Sequence, residues 1–326
     1  MKEKVLAFLT AQEGAFVSGA AVSQALGVTR AAVWKAVQAL QAEGYRIEAV
    51  PRKGYRLLDG PDRLSEAHIL PLLKNDHRDS LICLKSVDST NNFAKTLSVQ
   101  GRGGTCYIVT DEQTGGRGRR GRSFYSPAGQ GVYLTGLYHP DVPPSRVSHF
   151  TAYVAAAVCR AIESTTACRP AVKWPNDILL SGKKVCGILT EMALEGETGL
   201  LQYLITGMGV NVGQLPEDFP EEIRPLATSL KAESGTDVKR SVLCAALINE
   251  LDDAMEAFLR EDRNYWQYYR TRCITLGCPV WILSGSRKDP AFAEDLAEDF
   301  GLIVRWENGS LETVYAGEVS LRSREE

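Results

Sequence analysis

The stretch Gly115-Gly-Arg-Gly-Arg-Arg-Gly-Arg122 narrows the choice of fold for the part of the chain that follows residue 60. Positions 116–121 satisfy the pattern Gly-x-Gly-x-x-Gly, which in a doubly wound fold opens a helix and binds a dinucleotide. Here Pro127 and Gly131 follow instead, and the next predicted element is a strand that starts at Val132. The chain also lacks the P-loop pattern. Both of these glycine-rich nucleotide-binding folds are therefore excluded.

The same stretch offers backbone N–H groups and guanidinium groups to an anion such as a phosphate chain or an adenylate. Its cations are Arg117, Arg119, Arg120 and Arg122. Because clustered like charges on a glycine-rich backbone repel one another, we expect the loop to become ordered when an anion binds. The alternatives are a solvated basic loop or an additional contact to RNA or DNA.

Runs typical of strands and of helices alternate on both sides of this loop, as in a mixed α/β domain. The predicted strands are 81–84, 107–110, 132–137, 172–174, 185–191 and 200–207, and the predicted helices are 91–98, 146–164, 238–260 and 264–272. Shorter strands follow at 279–283, 291–296, 301–306 and 311–317. The sequence therefore predicts an α+β multidomain protein, with a mixed-sheet domain over residues 65–272 and a small β-barrel over residues 273–326.

Residues 1–60 have the pattern of a winged helix-turn-helix. The predicted elements are helices at 3–12, 19–26 and 30–43 and strands at 45–50 and 55–58. Ser18 and Thr29 are the expected caps of the second and third helices, and Gly27 is the expected stop between them. Gly60-Pro61-Asp62 is the expected linker to the body.

The charged residues of this module predict contacts to DNA. Arg30, Lys35, Arg52 and Lys53 would contact phosphates from the third helix and the wing, while Thr29, Arg30 and Gln38 would reach base edges. We expect Ser18, the cap of the second helix, to contact DNA as well. The alternative is that the module mediates protein contacts only.

Charge is unevenly distributed along the 326 residues. The net charge is −3, which argues against a protein that coats nucleic acid over its whole surface. Residues 1–60 carry a net charge of +3 and the remainder −6. A basic N-terminal module on an acidic body indicates two functions in one chain.

Cysteine usage and hydropathy predict a cytoplasmic protein. The eight cysteines are scattered, and the closest pair, Cys273 and Cys278, has no neighbouring ligands that would complete a structural metal site. We expect reduced thiols and no structural metal. No apolar run approaches the roughly 18 residues of a membrane span.

A second motif is Lys173-Trp-Pro-Asn-Asp177, followed by Lys184 and then Gly187-Ile-Leu-Thr-Glu191. Positions 175–177 predict a tight turn between strands. The oxygens of Asn176 and Asp177 suit a phosphate-bound Mg²⁺, and Lys184 suits a phosphate. Taken alone, this motif is more typical of a hairpin with surface lysines than of a nucleotide site.

Two further motifs are Asp88-Ser-Thr-Asn91 and Gly207-Met-Gly-Val-Asn211. Ser89 or Thr90 is first of all an N-terminal helix cap, although a helix N-terminus in a cleft also suits a polar ligand or an anion. The glycines of the second motif allow close approach of a ligand, and Asn211 could contact the edge of a purine.

In this order, these motifs resemble biotin-protein ligase, and with the winged helix in front the chain resembles the bifunctional bacterial form. That form is both a biotin ligase and a repressor of the biotin synthesis operon. The residues that carry the resemblance are 88–91, Gln113, 116–121, Ser126-Pro127, 173–177, Lys184, 187–189, 207–211 and Gly317-Glu-Val-Ser-Leu321. The resemblance implies a class II synthetase-like biotin/lipoate ligase fold in the centre and an SH3-like C-terminal barrel.

The resemblance also implies the reaction and the site. Biotin and ATP would form biotinyl-5′-adenylate, and a lysine of the biotin carboxyl carrier domain of a carboxylase would then accept the biotin. The catalytic residues would be Lys184, Arg119 and Arg117. Biotin would contact Ser89, Thr90, Asn91, Gln113, Arg117, Gly118, Arg119, Lys184 and Gly187. The nucleotide would contact Arg119, Arg120, Arg122, Lys173, Trp174, Asn176, Lys184 and Asn211, with Mg²⁺ at Asn176 and Asp177.

The partners that the resemblance implies are the carrier protein, operator DNA and, once adenylate is bound, a second copy of the chain. It implies no contact with a membrane. One departure is visible, since Phe124 stands where relatives usually have tryptophan, and this puts the shape of the pocket in doubt. Two alternatives remain, namely a biotin-sensing repressor without catalysis and a lipoate-protein ligase.

Overall fold

Three β-sheets and their helices make up the computed structural model of the chain, which describes residues 1–12, 14–284, 287–315 and 318–321. The helices are α1 (Lys2–Thr10), α2 (Gly19–Leu26), α3 (Arg30–Ala42), α4 (Glu66–Ile69), α5 (Thr90–Val99), α6 (Val147–Thr165), α7 (Leu230–Ser234), α8 (Arg240–Leu259) and α9 (Arg263–Arg272). The strands are β1 (Arg46–Val50), β2 (Gly54–Asp59), β3 (Leu81–Leu84), β4 (Cys106–Thr110), β5 (Gly131–Tyr138), β6 (Ala171–Lys173), β7 (Asp177–Leu180), β8 (Lys183–Leu194), β9 (Leu201–Asn211), β10 (Cys278–Ser284), β11 (Arg287–Leu296), β12 (Leu302–Trp306), β13 (Leu311–Val314) and β14 (Glu318–Leu321).

The N-terminal module is a winged helix-turn-helix, which confirms the prediction for this part of the chain. The Ser18 side chain accepts a hydrogen bond from the backbone N–H of Ala21, and Gly27 ends α2 in the left-handed conformation. Thr29 caps α3 in the same way as Ser18 caps α2. β1 and β2 pair as an antiparallel hairpin. Val5, Leu6, Leu9, Val33, Val37 and Leu40 are among the buried residues of a separate core beneath it.

The central sheet has seven strands in the order β3-β4-β5-β9-β8-β7-β6. β3 and β4 are parallel, and the other neighbours are antiparallel. α6 and α8 contribute buried residues to the core on one face of the sheet, and α5 packs on the other through Ala94. Because both faces are covered, all eight residues of β5 are buried. The predicted mixed sheet is confirmed.

Several boundaries differ from the predictions. The turn expected at 175–177 lies at 174–176, because Asp177 pairs with Lys173 and so already belongs to β7. β7 itself, α4 and α7 were not predicted. Each is only four or five residues long, which is too short for a periodic pattern to be recognised.

The C-terminal strands form a five-stranded antiparallel sheet in the order β13-β12-β11-β10-β14. The strand expected at 311–317 ends at Val314, and β14 follows separately. Gly317 of the quoted motif 317–321 lies outside the described residues. Within the described ranges, no helix is long and apolar enough to cross a membrane.

Candidate active site and nucleic-acid interface

A cavity on the central sheet gathers most of the predicted ligand-binding residues. The predicted residues that line it are Ser89, Thr90, Asn91, Gln113, Arg117, Gly118, Arg119, Arg120, Arg122, Asn176, Asp177, Lys184 and Gly187. They come from the start of α5, the segment from Gln113 through the Gly/Arg loop (residues 115–122), the turn before β7 with the first residue of β7, and the first half of β8. The sheet thus brings together motifs that are about 100 residues apart in the sequence.

Three predicted nucleotide contacts are not among the lining residues. Trp174 is only 3% exposed, and its indole N–H donates to the carbonyl of Phe300 at 3.0 Å. Asn211 is buried and donates to the carbonyl of Thr228 at 3.0 Å. Lys173 lies on β6, at the edge of the sheet. The first two side chains thus have packing and hydrogen-bonding roles that their motifs did not reveal.

The N-terminus of α5 is held by Gln113 and not by a hydroxyl cap. Ser89 occupies the N-cap position, but its side chain makes no capping bond, so the cap predicted there is wrong. Instead, Gln113 Oε1 accepts from the backbone N–H of Thr90 at 2.9 Å. Gln113 Nε2 donates to Ser126 Oγ at 3.0 Å. Gln113 therefore satisfies a helix-end donor and leaves the Ser89 hydroxyl at the cavity wall.

Asn91 is fixed on both sides of its amide. Its Nδ2 donates to Glu191 Oε2 at 2.9 Å and approaches the carbonyl of Leu189 at 3.3 Å. The hydroxyl of buried Thr135 donates to Asn91 Oδ1 at 2.7 Å and lies 2.7 Å from the hydroxyl of Thr90. These bonds leave the amide orientation little freedom.

Glu191 and Thr135 are positioning residues that the sequence reasoning missed. Glu191 Oε1 also accepts from Lys95 Nζ at 2.7 Å, and Arg117 lies 3.8 Å from the same oxygen. Burial raises the pKa of Glu191, but the bonds from Lys95 and Asn91 and the nearby cations outweigh it, so the pKa is lowered overall. A carboxylate within an otherwise mostly apolar strand was the available signal.

The Gly/Arg loop makes protein contacts that reduce repulsion among its cations. Arg117 donates to Asn92 Oδ1 at 3.0 Å, Arg119 donates to Asn176 Oδ1 at 3.0 Å, and Arg120 donates to the carbonyl of Leu283 at 3.1 Å. The loop can therefore hold this conformation without a bound anion, in spite of the repulsion among its cations. Ordering of the loop on ligand binding stays a prediction.

Lys184 and Asp177, which both line the cavity, form an ion pair of 2.5 Å. Asn176 is engaged as well, since its Oδ1 accepts from Arg119 and its Nδ2 donates to the carbonyl of Ile188 at 2.7 Å. Both oxygen donors predicted for Mg²⁺ thus already face cations. Among the described residues, no group of three or more His, Cys, Asp or Glu could hold a metal ion. This donor set does not fit a metal bound by the protein alone.

Glycines form the floor of the cavity. A Cβ on Gly209 would collide with the ring of Phe124, and a Cβ on Gly207 would collide with the side chain of Asn91. Phe124 itself lines the cavity, so the residue that departs from the pattern of relatives helps to shape the pocket. Cys186 is buried beside this floor, and burial raises the pKa of its thiol to about 12, which keeps it protonated and unreactive.

The residues predicted to contact DNA are exposed on the winged helix. Thr29, Arg30, Lys35 and Gln38 lie along α3, Arg52 and Lys53 lie at the turn of the wing, and Ser18 lies at the start of α2. The Ser18 and Thr29 hydroxyls accept the capping bonds of their helices. Ser18 nevertheless lies on the same side of the module as the wing, since Ser18, Arg30 and Arg52 line one groove.

Known protein families match the N-terminal module and the central sheet of the chain. Residues 83–211 match the Biotin/lipoate A/B protein ligase family, and residues 2–56 match an HTH domain. The "Bifunctional ligase/repressor BirA" of Bacillus subtilis is 35% identical over 311 residues, which cover 94% of each chain. The protein of the same name from Escherichia coli is 29% identical and covers 99% of this chain and 97% of its own length.

A solved structure supports the same assignment. The biotin protein ligase from Aquifex aeolicus, in complex with biotin and ATP, has a TM-score of 0.63 and 30% identity, and the match covers 74% of this chain and 98% of that chain. Together with 35% identity along nearly the whole length of a bacterial relative, this shows that the chain belongs to the biotin/lipoate A/B protein ligase family, in the bifunctional ligase/repressor form that carries an N-terminal HTH domain.

Proposed function

We propose that this protein is a biotin ligase that forms biotinyl-5′-AMP from biotin and ATP and transfers the biotin to a lysine of a carrier protein, and that it is also a DNA-binding repressor. The observation that carries the ligase function is the single cavity that joins a polar, hydrogen-bonded end at α5 to a cationic end at the Gly/Arg loop and Lys184. A substrate with a neutral polar head and a carboxylate tail fits the first end, and a nucleotide phosphate fits the second.

In the first step, a biotin carboxylate oxygen attacks the α-phosphorus of ATP. The bond from that phosphorus to the bridging oxygen breaks, and pyrophosphate leaves. Lys184 would release Asp177 and contact the carboxylate oxygen and the α-phosphate, while Arg119 and Arg117 would stabilise the charge that develops. The chemistry needs positioning and charge stabilisation, which suits this cationic set.

In the second step, the neutral amine of the carrier lysine attacks the acyl carbon of the mixed anhydride. The acyl C–O bond breaks, AMP leaves, and the amine loses a proton to give an amide. Mg²⁺ would arrive with the phosphates of ATP and neutralise part of their charge. Asn176 and Asp177 could approach it only after their present cationic partners turn to the substrate.

The biotin contacts in this proposal all line the cavity and are Ser89, Thr90, Asn91, Gln113, Arg117, Gly118, Arg119, Lys184 and Gly187. For the nucleotide we propose Arg119, Arg120, Arg122, Asn176 and Lys184. Lys173, Trp174 and Asn211 would need a different arrangement to reach the nucleotide, and their buried or peripheral locations weaken that part of the prediction.

The repressor function belongs to the winged helix. The exposed cations of α3 and the wing suit operator phosphates. We propose that the adenylate favours a homodimer that binds a two-fold symmetric operator, because a loop ordered by the adenylate presents its neighbouring surface without a further entropy cost. The carrier protein and a second subunit would then compete for that surface.

This proposal divides the chain into a DNA-binding domain over residues 1–60, a catalytic domain over residues 65–272 and an SH3-like domain over residues 273–326. The five-stranded antiparallel order of the last sheet supports the SH3-like assignment. We propose a cytoplasmic location, because ATP, carboxylase and operator DNA are all found there.

The direct test is incubation of the protein with biotin, ATP, Mg²⁺ and a carrier domain, with mass detection of the modified lysine and measurement of pyrophosphate. We expect one biotin per carrier, and we expect the Lys184→Ala variant to lose most of the pyrophosphate release while it still unfolds at the normal temperature. Pyrophosphate release from lipoate in preference to biotin would identify a lipoate ligase. Operator binding without any pyrophosphate release would identify a sensor that lacks catalysis.

A further inference from the structure

The recognition helix α3 exposes a tryptophan at a position where a soluble helix usually places a polar residue. Val33, Val37 and Leu40 point into the core of the winged helix. Trp34 points away from it and is 54% exposed. Its surface therefore contributes little to the stability of this module, which leaves a large apolar group available for a partner.

The neighbours of Trp34 form a surface that suits a polyanion. Residues four apart on a helix lie side by side, so Trp34 stands between Arg30 and Gln38 in one row. Ala31 and Lys35 form the adjacent exposed row. Because Ala31 is small, the indole is not shielded on that side, and cations flank it along both rows.

The wing extends the same positive surface. Arg52 and Lys53 are exposed at its turn, and Arg30 and Arg52 line one groove of the module. A second copy of this surface would bring like charges together, whereas duplex DNA offers phosphates for the cations and a groove floor for the indole. The charge pattern therefore favours DNA as the partner of Trp34.

We infer that Trp34 contacts the 5-methyl group of a thymine in the major groove and thereby contributes to sequence specificity; this inference rests on the proposed repressor function. Thymine alone presents a methyl group on the floor of that groove, and apolar side chains discriminate it by contact. Gln38 and Arg30, the two row neighbours of Trp34, carry the amide and guanidinium groups that suit adenine and guanine edges. The row thus combines polar and apolar base contacts.

The test uses the full chain with biotin and ATP present. Duplexes are first selected from a pool of random sequence, and each thymine of the selected site is then replaced by deoxyuridine, which removes only the methyl group. At one position in each half-site we expect the replacement to weaken binding about four-fold, as the loss of one buried methyl group should.

The variants decide whether Trp34 is the contact. In Trp34→Ala, DNA binding should weaken, and the replacement of that thymine should have no further effect; Trp34→Phe should retain part of the methyl effect. Unfolding temperatures should match the wild type, because the side chain is outside the core. A methyl effect of the same size in Trp34→Ala, or no methyl effect at any thymine in the wild type, would overturn the inference while leaving the repressor function intact.

Two other results separate the remaining possibilities. Loss of dimerisation by Trp34→Ala in the absence of DNA, measured by sedimentation, would assign the indole to a protein contact and overturn the inference. Failure of the wild type to select any duplex would instead refute the repressor function itself, and the inference with it.

Discussion

Glu191 connects side chains that are predicted to contact biotin but does not itself line the cavity. It accepts from Asn91 at 2.9 Å and from Lys95 at 2.7 Å, and Arg117 is within 3.8 Å of it. With its pKa lowered, the carboxylate is ionised at neutral pH and holds all three groups. A folded pKa below the ordinary value means that its stabilising effect is present at neutral pH and is lost only as the pH falls through the lowered pKa.

Replacement of this carboxylate should therefore weaken biotin binding more than it slows the reaction. In Glu191→Gln, Lys95 and Arg117 lose their anionic partner, and hydrogen bonds that involve charged groups contribute about 1.5–3 kcal/mol. We expect the KM for biotin to rise at least about ten-fold and kcat to change little, as measured by pyrophosphate release. Glu197→Gln, on an exposed loop, is the matched control. A fall in kcat with an unchanged KM would contradict this role.

Single residues also mark how far the sequence could predict the site. Most of the Gly/Arg loop and Lys184 line the cavity, as their glycine-rich and cationic patterns indicated, and so does Gln113, which only the family resemblance implied. The motif around Trp174 predicted a nucleotide contact, but the side chain is buried in the core. A tryptophan in such a motif can serve packing equally well. A carboxylate in a mostly apolar strand singled out Glu191 but not its role, because its partners Asn91 and Lys95 are about 100 residues away in the chain and only the sheet brings them together.

At the scale of elements, β9 supplies part of the cavity floor through glycines. In an antiparallel sheet, side chains alternate between the two faces, and Gly207 and Gly209 lie on the face that meets α5 and Phe124. The strand itself was predicted, but β7 was not, since its four residues follow a turn whose position was misjudged by one residue. Long buried strands were thus predictable from composition, whereas short ones depend on pairing partners.

Gly207→Ala should damage the biotin end of the cavity. The added Cβ would collide with the Asn91 side chain, which cannot retreat because Glu191 and Thr135 hold it. We expect biotin affinity, measured by calorimetry, to fall at least about ten-fold, since a displaced amide forfeits its charge-assisted bond.

The matched control is Gly196→Ala, because a Cβ at that position meets nothing within 4 Å. Its biotin affinity should equal that of the wild type. Equal affinity in both variants would show that Asn91 can move aside without cost, and that its orientation is unimportant for the ligand.

At the scale of the whole molecule, the buried guanidinium of Arg240 joins the linker after the winged helix to the cavity-bearing part of the sheet. Arg240, at the start of α8, is only 4% exposed. It donates to Asp62 in the segment after the wing at 2.8 Å and to Asp111 at 2.5 Å, and it lies 3.4 Å from the carbonyl of Gly131. Asp111 and Gly131 stand at the two ends of the segment that contains Gln113 and the Gly/Arg loop, so this side chain holds both ends of that segment and the linker at one point.

Removal of this guanidinium should destabilise the protein far more than removal of an exposed one. Breaking a buried ion pair by deleting one partner costs about 3–5 kcal/mol, because the remaining charges lose their compensation; the two carboxylates here are partly exposed, so we expect about 3 kcal/mol for Arg240→Met. Arg263→Met is the matched control, since its pair with Glu298 is exposed on both sides and should contribute less than about 1 kcal/mol. Urea unfolding of both variants measures the difference. Similar small losses would mean that water replaces the Arg240 guanidinium readily, and that the backbone bond from residue 240 to Asp62 and the pair between Lys239 and Asp59 hold the linker without it.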